Sequence, residues 1–193
     1  MTSVVVCGLA GQQPVAGMGL HYLQYCLGFR DLGLDVLYLE DHGAWPIDPR
    51  EGPFDDTAKY SIDWLGEMFG SFGLDWSFQD PLERYQGISE KEAVARCASA
   101  DLLINVSSAH YLQPHHLRAK VVACVDTDSA FTQVAHHTSG AFQDLWGQHD
   151  VMFTFAELLG TPHCRVPDAG YSWKHTRQPV HLPFWEDVVC PPG

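Results

Sequence analysis

Positive charge is scarce in this sequence. Eleven Lys and Arg stand against 24 Asp and Glu, a formal net charge of −13 with histidine neutral. Nucleic-acid binders draw affinity from basic side chains on phosphates, so a DNA or RNA partner is not expected. The same deficit argues against docking on anionic lipid. Long apolar runs are missing as well, since none approaches the ~20 residues that span a bilayer. The apolar stretch at residues 4–10 follows no basic segment, so a secretory signal is not expected. The six cysteines are scattered and form no C-x-x-C pair. Such spacing predicts reduced, mostly buried thiols in a cytoplasmic protein. There is no internal repeat and no low-complexity tract.

What is present suits a folded core. Hydrophobic residues make up 46% of 193, enough to bury a core without staples. One domain over residues 1–193 is expected, with 160–193 the less regular part. Residues 3–9 (SVVVCGL) read as a buried strand. Residues 18–32 carry apolar side chains at Met18, Tyr22, Cys26, Phe29 and Leu32, the spacing of one helix stripe. Gly33 closes that helix, and residues 34–39 (LDVLYL) form a second strand. Strand, helix, strand at this length predicts a right-handed parallel unit. A second helix follows from Ala58, and residues 74–88 look irregular. Ser89 and Glu92 match a capping box that opens a short helix. Strands are expected at 102–106, 121–125 and 151–155, and helices at 129–137 and 139–148. The fold class predicted is α/β, a doubly wound, mostly parallel Rossmann-like sheet with helices on both faces.

Ligands of such sheets sit beyond the carboxyl ends of the strands. The loop after the first strand, residues 10–19, therefore comes first. Gly17 and Gly19 come too late for a dinucleotide fingerprint, and Tyr22 stands where its third glycine belongs. Glu40 imitates the acid that binds a ribose, but the intervening loop is too long. No G-K-[ST] follows, so this is not a phosphate loop of the NTPase kind. Two readings remain: a cradle in which Gln13, Gly17 and Gly19 bring backbone amides to a ligand, or a plain connector.

Other strand ends add candidates. His21, in the first turn of the helix, is placed to act as a base, with Asp126 from another strand end to orient it. Asp126-Thr127-Asp128 is a D-x-D, and Asp128 reads first as a helix N-cap and second as a cation ligand. Asn105, Ser107, Ser108 and His110 offer polar groups to a hydroxylated ligand, or serve only to form the turn. Trp45 is available for stacking on a ring or for covering the core. An aromatic surface around Trp45 and Trp76, with excess acid, suits a large and cationic small molecule. His115-His116 and His136-His137 are adjacent pairs whose rings diverge, so they read as solvated surface. No metal site is expected.

Several segments together resemble the N-terminal lobe of glycosyltransferases of the GT-B architecture. They are residues 15–49 (VAGMGLHYLQYCLGFRDLGLDVLYLEDHGAWPIDP), 100–107 (ADLLINVS), 125–133 (VDTDSAFTQ) and 164–179 (CRVPDAGYSWKHTRQP). The resemblance implies an acceptor-binding lobe that faces a second lobe holding a nucleotide-sugar. It implies a catalytic histidine and acid in the topological places that His21 and Asp126 occupy; the strand-end reading supplies Gln13, Gly17, Gly19, Tyr22, Trp45, Asn105, Ser107, Ser108, His110 and Asp128 as the expected ligand-binding residues. It implies no metal and no cofactor of the lobe's own. The sequence stops at Gly193, where the resemblance places the second lobe. A donor-binding lobe on a separate chain, or a homodimer, is the expected complement. The alternative is a non-catalytic carrier or resistance protein that binds a small molecule on a lone lobe.

Overall fold

Alternation along β1 (Ser3–Cys7) decides the layering. Successive strand side chains take opposite faces, so Val4 and Val6 enter one apolar layer and Val5 and Cys7 another. A parallel strand covered on both faces must read as an unbroken apolar run, and this one does. A computed structural model describes residues 1–50, 52 and 58–186 of the chain. It contains one eight-stranded sheet in the order β4-β3-β2-β1-β5-β6-β7-β8.

The remaining strands are β2 (Asp35–Glu40), β3 (Asp75–Gln79), β4 (Tyr85–Gly87), β5 (Leu102–Val106), β6 (Val122–Asp126), β7 (Val151–Thr154) and β8 (Trp173–His175). All neighbours are parallel except β3 and β4. The chain winds outward from β1 through β2 and β3, then returns to place β5 on β1's other side. That reversal opens a crevice at the carboxyl ends of β1 and β5, where such sheets bind ligands.

One face of the sheet packs against α1 (Ala16–Asp31) and α2 (Lys59–Met68), through Tyr22, Leu23, Leu27 and Leu65. The other packs against α3 (Glu90–Ser99) and α5 (Gln143–Trp146), through Ala93, Cys97, Leu145 and Trp146. The expected doubly wound architecture is the one observed. The end of α1 follows its sequence signal. Gly33 takes φ +79°, and the Gly33 and Leu34 amides bond back to the Arg30 and Phe29 carbonyls at 2.8 and 3.1 Å. That is the Schellman arrangement, which satisfies carbonyls the helix leaves open. At α3, the Ser89 hydroxyl accepts the Glu92 amide at 3.3 Å.

Four local expectations are corrected. Residues 74–88 are not irregular: they form the β3–β4 hairpin at the sheet edge. The alternation is hard to see because only Ser77 and Phe78 of β3 are buried. Trp76, expected in an aromatic loop, sits within β3. Gly87 makes the hairpin possible, since it has φ +82° and a Cβ there would lie 2.2 Å from the Trp76 carbonyl oxygen. The helix expected at 139–148 shrinks to α5, because Gly140 and Phe142 adopt left-handed φ of +70° and +65°. The helix expected at 129–137 is α4 (Phe131–Ser139), with Ala130 at its N-cap. Asp128 therefore does not cap it. Instead the Gln133 side chain accepts the Ala130 amide at 2.6 Å.

Beyond residue 160, β8 extends the sheet and α6 (Leu182–Trp185) lies on α1. Its neighbour His181 donates its amide to Gln24 Oε1 at 2.5 Å, and the Trp185 indole donates to the same oxygen at 3.2 Å. No described helix is long and apolar enough to cross a membrane. The five described cysteines are free, four of them buried; Cys190 lies outside the described residues.

Candidate functional site

The loop that leaves β1 passes over two tyrosine rings. A Cβ at Gly8 would lie 2.6 Å from the Tyr22 ring and 2.8 Å from the Tyr38 hydroxyl. The third glycine of a dinucleotide fingerprint normally lets helix and strand approach. Here the small residue sits on the strand side and the ring on the helix side, so close packing survives the exchange. Tyr22 is wholly buried, and it is core rather than ligand surface.

Downstream of Gly8 the loop's amides are already engaged. Gly11 and Gln12 donate to Glu40 Oε1 and Oε2 at 2.5 and 2.9 Å. The Tyr38 hydroxyl donates to Glu40 Oε1 at 2.5 Å and accepts the Ala10 amide at 2.8 Å. The carboxylate of Glu40, fully buried, fills the place a phosphate takes in dinucleotide-binding loops. Gly19 is also spoken for, because its Cβ position faces Trp64 and Met68 of α2.

An open cleft of about 480 Å³ lies next to this plugged loop. Gly17, Met18 and His21 of α1 form one wall, Ser107, Thr127 and Asp128 another, and Phe155 and Gln178 close it. It sits at the carboxyl ends of β1, β5, β6 and β7. No side chain caps α1, whose N-cap is Val15, and Gly17 and Met18 of its first turn line the cleft. Gly17 has free space where a Cβ would stand. Ser107 and Ser108 both take left-handed φ, +63° and +52°. Paired non-glycine residues in that region are strained, and such strain gathers at functional sites. The Thr127 hydroxyl donates to Ser107 Oγ at 2.8 Å, giving a hydroxyl pair on the cleft wall.

His21 is half-buried. Its ring meets Tyr22, Tyr25 and Phe155 edge-on, with centroids 4.9, 5.7 and 6.2 Å away. Burial lowers its pKa below the ordinary histidine value, and the neighbouring Gln178 side chain partly offsets this. His21 Nε2 is occluded and has no hydrogen-bond partner. Asp126 does not orient it. The Asp126 carboxylate accepts Thr132 Oγ1 at 2.8 Å on one oxygen, and Gln133 Nε2 at 2.6 Å and Thr154 Oγ1 at 3.3 Å on the other. It ties the start of α4 to β7.

The other candidates divide in the same way. Asn105 exchanges two bonds with the His110 backbone, at 2.9 and 3.0 Å, and shapes the turn after β5. Ser108 Oγ accepts the Trp146 indole at 3.1 Å and lies 3.3 Å from Cys124 Sγ. Gln13 and Trp45 are exposed, on loops outside the cleft wall. Asp128 is exposed on the wall itself. The structure thus brings Gly17, His21, Ser107 and Asp128 together. It adds Met18, Thr127, Phe155 and Gln178, which carried no motif of their own.

A second cluster lies at the same strand ends on the opposite face. His115 and His116, expected on the surface, close over Asp41: their Nε2 atoms stand 2.8 and 3.1 Å from Asp41 Oδ2. His110, wholly buried, places Nδ1 3.3 Å from Asp41 Oδ1. Burial opposes ionisation of Asp41, but three imidazoles outweigh it and hold the carboxyl well below the usual range. Burial lowers the pKa of His110, with Asp41 opposing. The 41–116 pairing spans 75 residues, so no local spacing announced it.

No protein-family model matches this sequence, and a search of curated proteins returns no match.

Proposed function

We propose that the cleft between the β1 and β5 ends binds a small hydroxylated molecule, and that the chain is the acceptor-binding lobe of a GT-B-type glycosyltransferase. The observation that carries this is His21: an imidazole with an unpartnered nitrogen, whose burial favours the neutral form, in the wall of a cleft lined by hydroxyls and the first turns of α1. Neutral imidazole is the form a general base requires. In transfer, the acceptor oxygen attacks the anomeric carbon of a nucleotide-sugar. Its proton passes to His21, and the carbon–phosphate-oxygen bond breaks with the electron pair leaving on the nucleotide diphosphate. For the acceptor to reach that occluded nitrogen, the exposed Gln178 beside the ring has to give way. The engagement of Gly11 and Gln12 by Glu40 agrees with a donor held on another lobe.

A non-catalytic binder is the second reading. The observation in its favour is that Asp126 is committed to Thr132, Gln133 and Thr154 rather than to His21. The test is an NMR screen of aromatic polyols against the full chain, followed by incubation with nucleotide-sugars and cell extract. Ligand-dependent shifts at His21 and Ser107, lost in His21→Phe, are expected. Binding with product formation supports the transferase lobe, and binding without product supports the carrier. Shifts confined to residues outside the cleft overturn both.

A further inference from the structure

The chain beyond β8 returns along one stripe of α1. The Thr176 amide still bonds the Thr154 carbonyl at 2.9 Å. From there Gln178 reaches the cleft wall beside His21, and His181 and Trp185 reach Gln24 and Asp31. His21, Gln24, Gly28 and Asp31 follow one another at three- or four-residue steps, so they share one face of the helix. The His181 amide and the Trp185 indole both donate to Gln24 Oε1, at 2.5 and 3.2 Å. His181 Nδ1 accepts the Phe184 amide at 3.3 Å, so Nε2 carries the proton it gives to Asp31 Oδ2 at 2.7 Å. Phe184 supplies an apolar footing, its ring 5.7 Å from that of Phe72. The fit is otherwise loose. Nothing lies within 4 Å of where a Cβ at Gly28 would stand, and Val180 and Leu182 are 63% and 69% exposed. On this side of α1 three occluded atoms have no hydrogen-bond partner: His21 Nε2, Gln24 Nε2 and the Tyr25 hydroxyl. Gln24 and Tyr25 are each more than nine-tenths buried. Native buried polar atoms are nearly always paired, so three on adjacent turns of one helix call for a cause.

We propose that residues 177–185 form a strap that closes over His21, latched to Gln24 Oε1 and Asp31, and that lifting this strap admits a ligand to the His21 end of the cleft. Opening breaks the bonds at Gln24 Oε1 and Asp31 Oδ2. It also lets water or a ligand's hydroxyls reach His21 Nε2, Gln24 Nε2 and the Tyr25 hydroxyl, which the closed position leaves bare. The exchange is close to even in hydrogen bonds, as a segment with two positions requires. Phe184 favours the closed position, and a ligand that contacts His21 only in the open one shifts the balance toward it. Thr176 stays bonded to β7, so the hinge falls just after it. The strap has a use only if the cleft is the ligand site proposed above. Its movement is measured without ligand, so either reading can fail alone.

The experiment labels the full chain with diethyl pyrocarbonate, which acylates accessible neutral histidines, and reads each site by mass spectrometry. Hydrogen exchange over residues 180–186 follows the strap itself. In the unaltered chain His21 is expected to react at least tenfold more slowly than the exposed His137 and His163. Gln24→Leu removes the acceptor that His181 and Trp185 share. It is expected to speed His21 labelling at least fivefold and to raise exchange in 180–186. Asp31→Ala is expected to do the same to a smaller degree, about twofold. Buried His116 stays unlabelled in a folded variant, and circular dichroism checks the fold; if Gln24→Leu does not fold, Asp31→Ala decides. His21 reacting as fast as His137 in the unaltered chain overturns the proposal. So does faster exchange in 180–186 with His21 labelling unchanged, as does no change in either measurement in the folded variants.

Discussion

Two groups of polar side chains meet the carboxyl edge of one sheet, and they are finished differently. On the α1 face, His21, Ser107, Thr127 and Asp128 surround open space. On the α3 face, Asp41 is closed in by His110, His115 and His116. The closed side is bound mainly by long-range pairing through Asp41 Oδ2, whereas the open side leaves His21 Nε2 without a partner and pairs its Ser107 and Thr127 hydroxyls with each other. Core and ligand surface thus share a strand edge, and what separates them is how many partners each polar atom already has. Glu40 and Asp126 belong with the closed side in this sense, although both stand where a sequence reader looks for a ligand.

Substitutions separate the two. The largest effect is expected at Trp146, buried on the α3 face among Phe142, His136, Tyr171 and Trp173. Trp146→Ala should cost about 3–5 kcal/mol in urea unfolding. Glu40→Gln should follow, at about 2–3 kcal/mol, because an amide nitrogen would then face donors from Gly11, Gln12 or Tyr38. Asp126→Asn should cost about 1–3 kcal/mol and leave the His21 titration midpoint where it was. A shift of that midpoint would restore the pairing of Asp126 with His21.

His21→Ala should change stability least, by less than about 1 kcal/mol, since it trades edge-on ring contacts for the loss of an unpartnered nitrogen. Its signature is in pH. With the folded pKa depressed by burial, the unfolded chain takes up the proton first. The contribution of His21 is therefore complete above the ordinary histidine value of about 6.5 and declines as pH falls through it. Proton NMR should place the folded midpoint below that value. His21→Ala should flatten that part of the stability–pH curve. A midpoint at or above the ordinary value would remove the neutral base from the cleft.

The fold was legible because its signals are local. An apolar run marks β1, Gly33 ends α1, and Ser89 with Glu92 opens α3, each within a few residues. Strand-end reasoning also located the cleft through Gly17, His21, Ser107 and Asp128. Failures came where a side chain's partner is distant. Glu40 and Asp126 looked like ligand groups because the amides and hydroxyls they satisfy come from other elements. His115 and His116 looked like surface because Asp41 lies 74 and 75 residues away. The β3–β4 hairpin was hidden for a different reason: an edge strand needs little burial, and its alternation is faint.

Both rims of the sheet end in three-residue strands, β4 and β8. So short a border gives an incoming backbone almost no ladder to extend, and a lysine, Lys174, sits in one of them. A companion of this chain, a second copy included, finds little edge here along which to grow the sheet sideways.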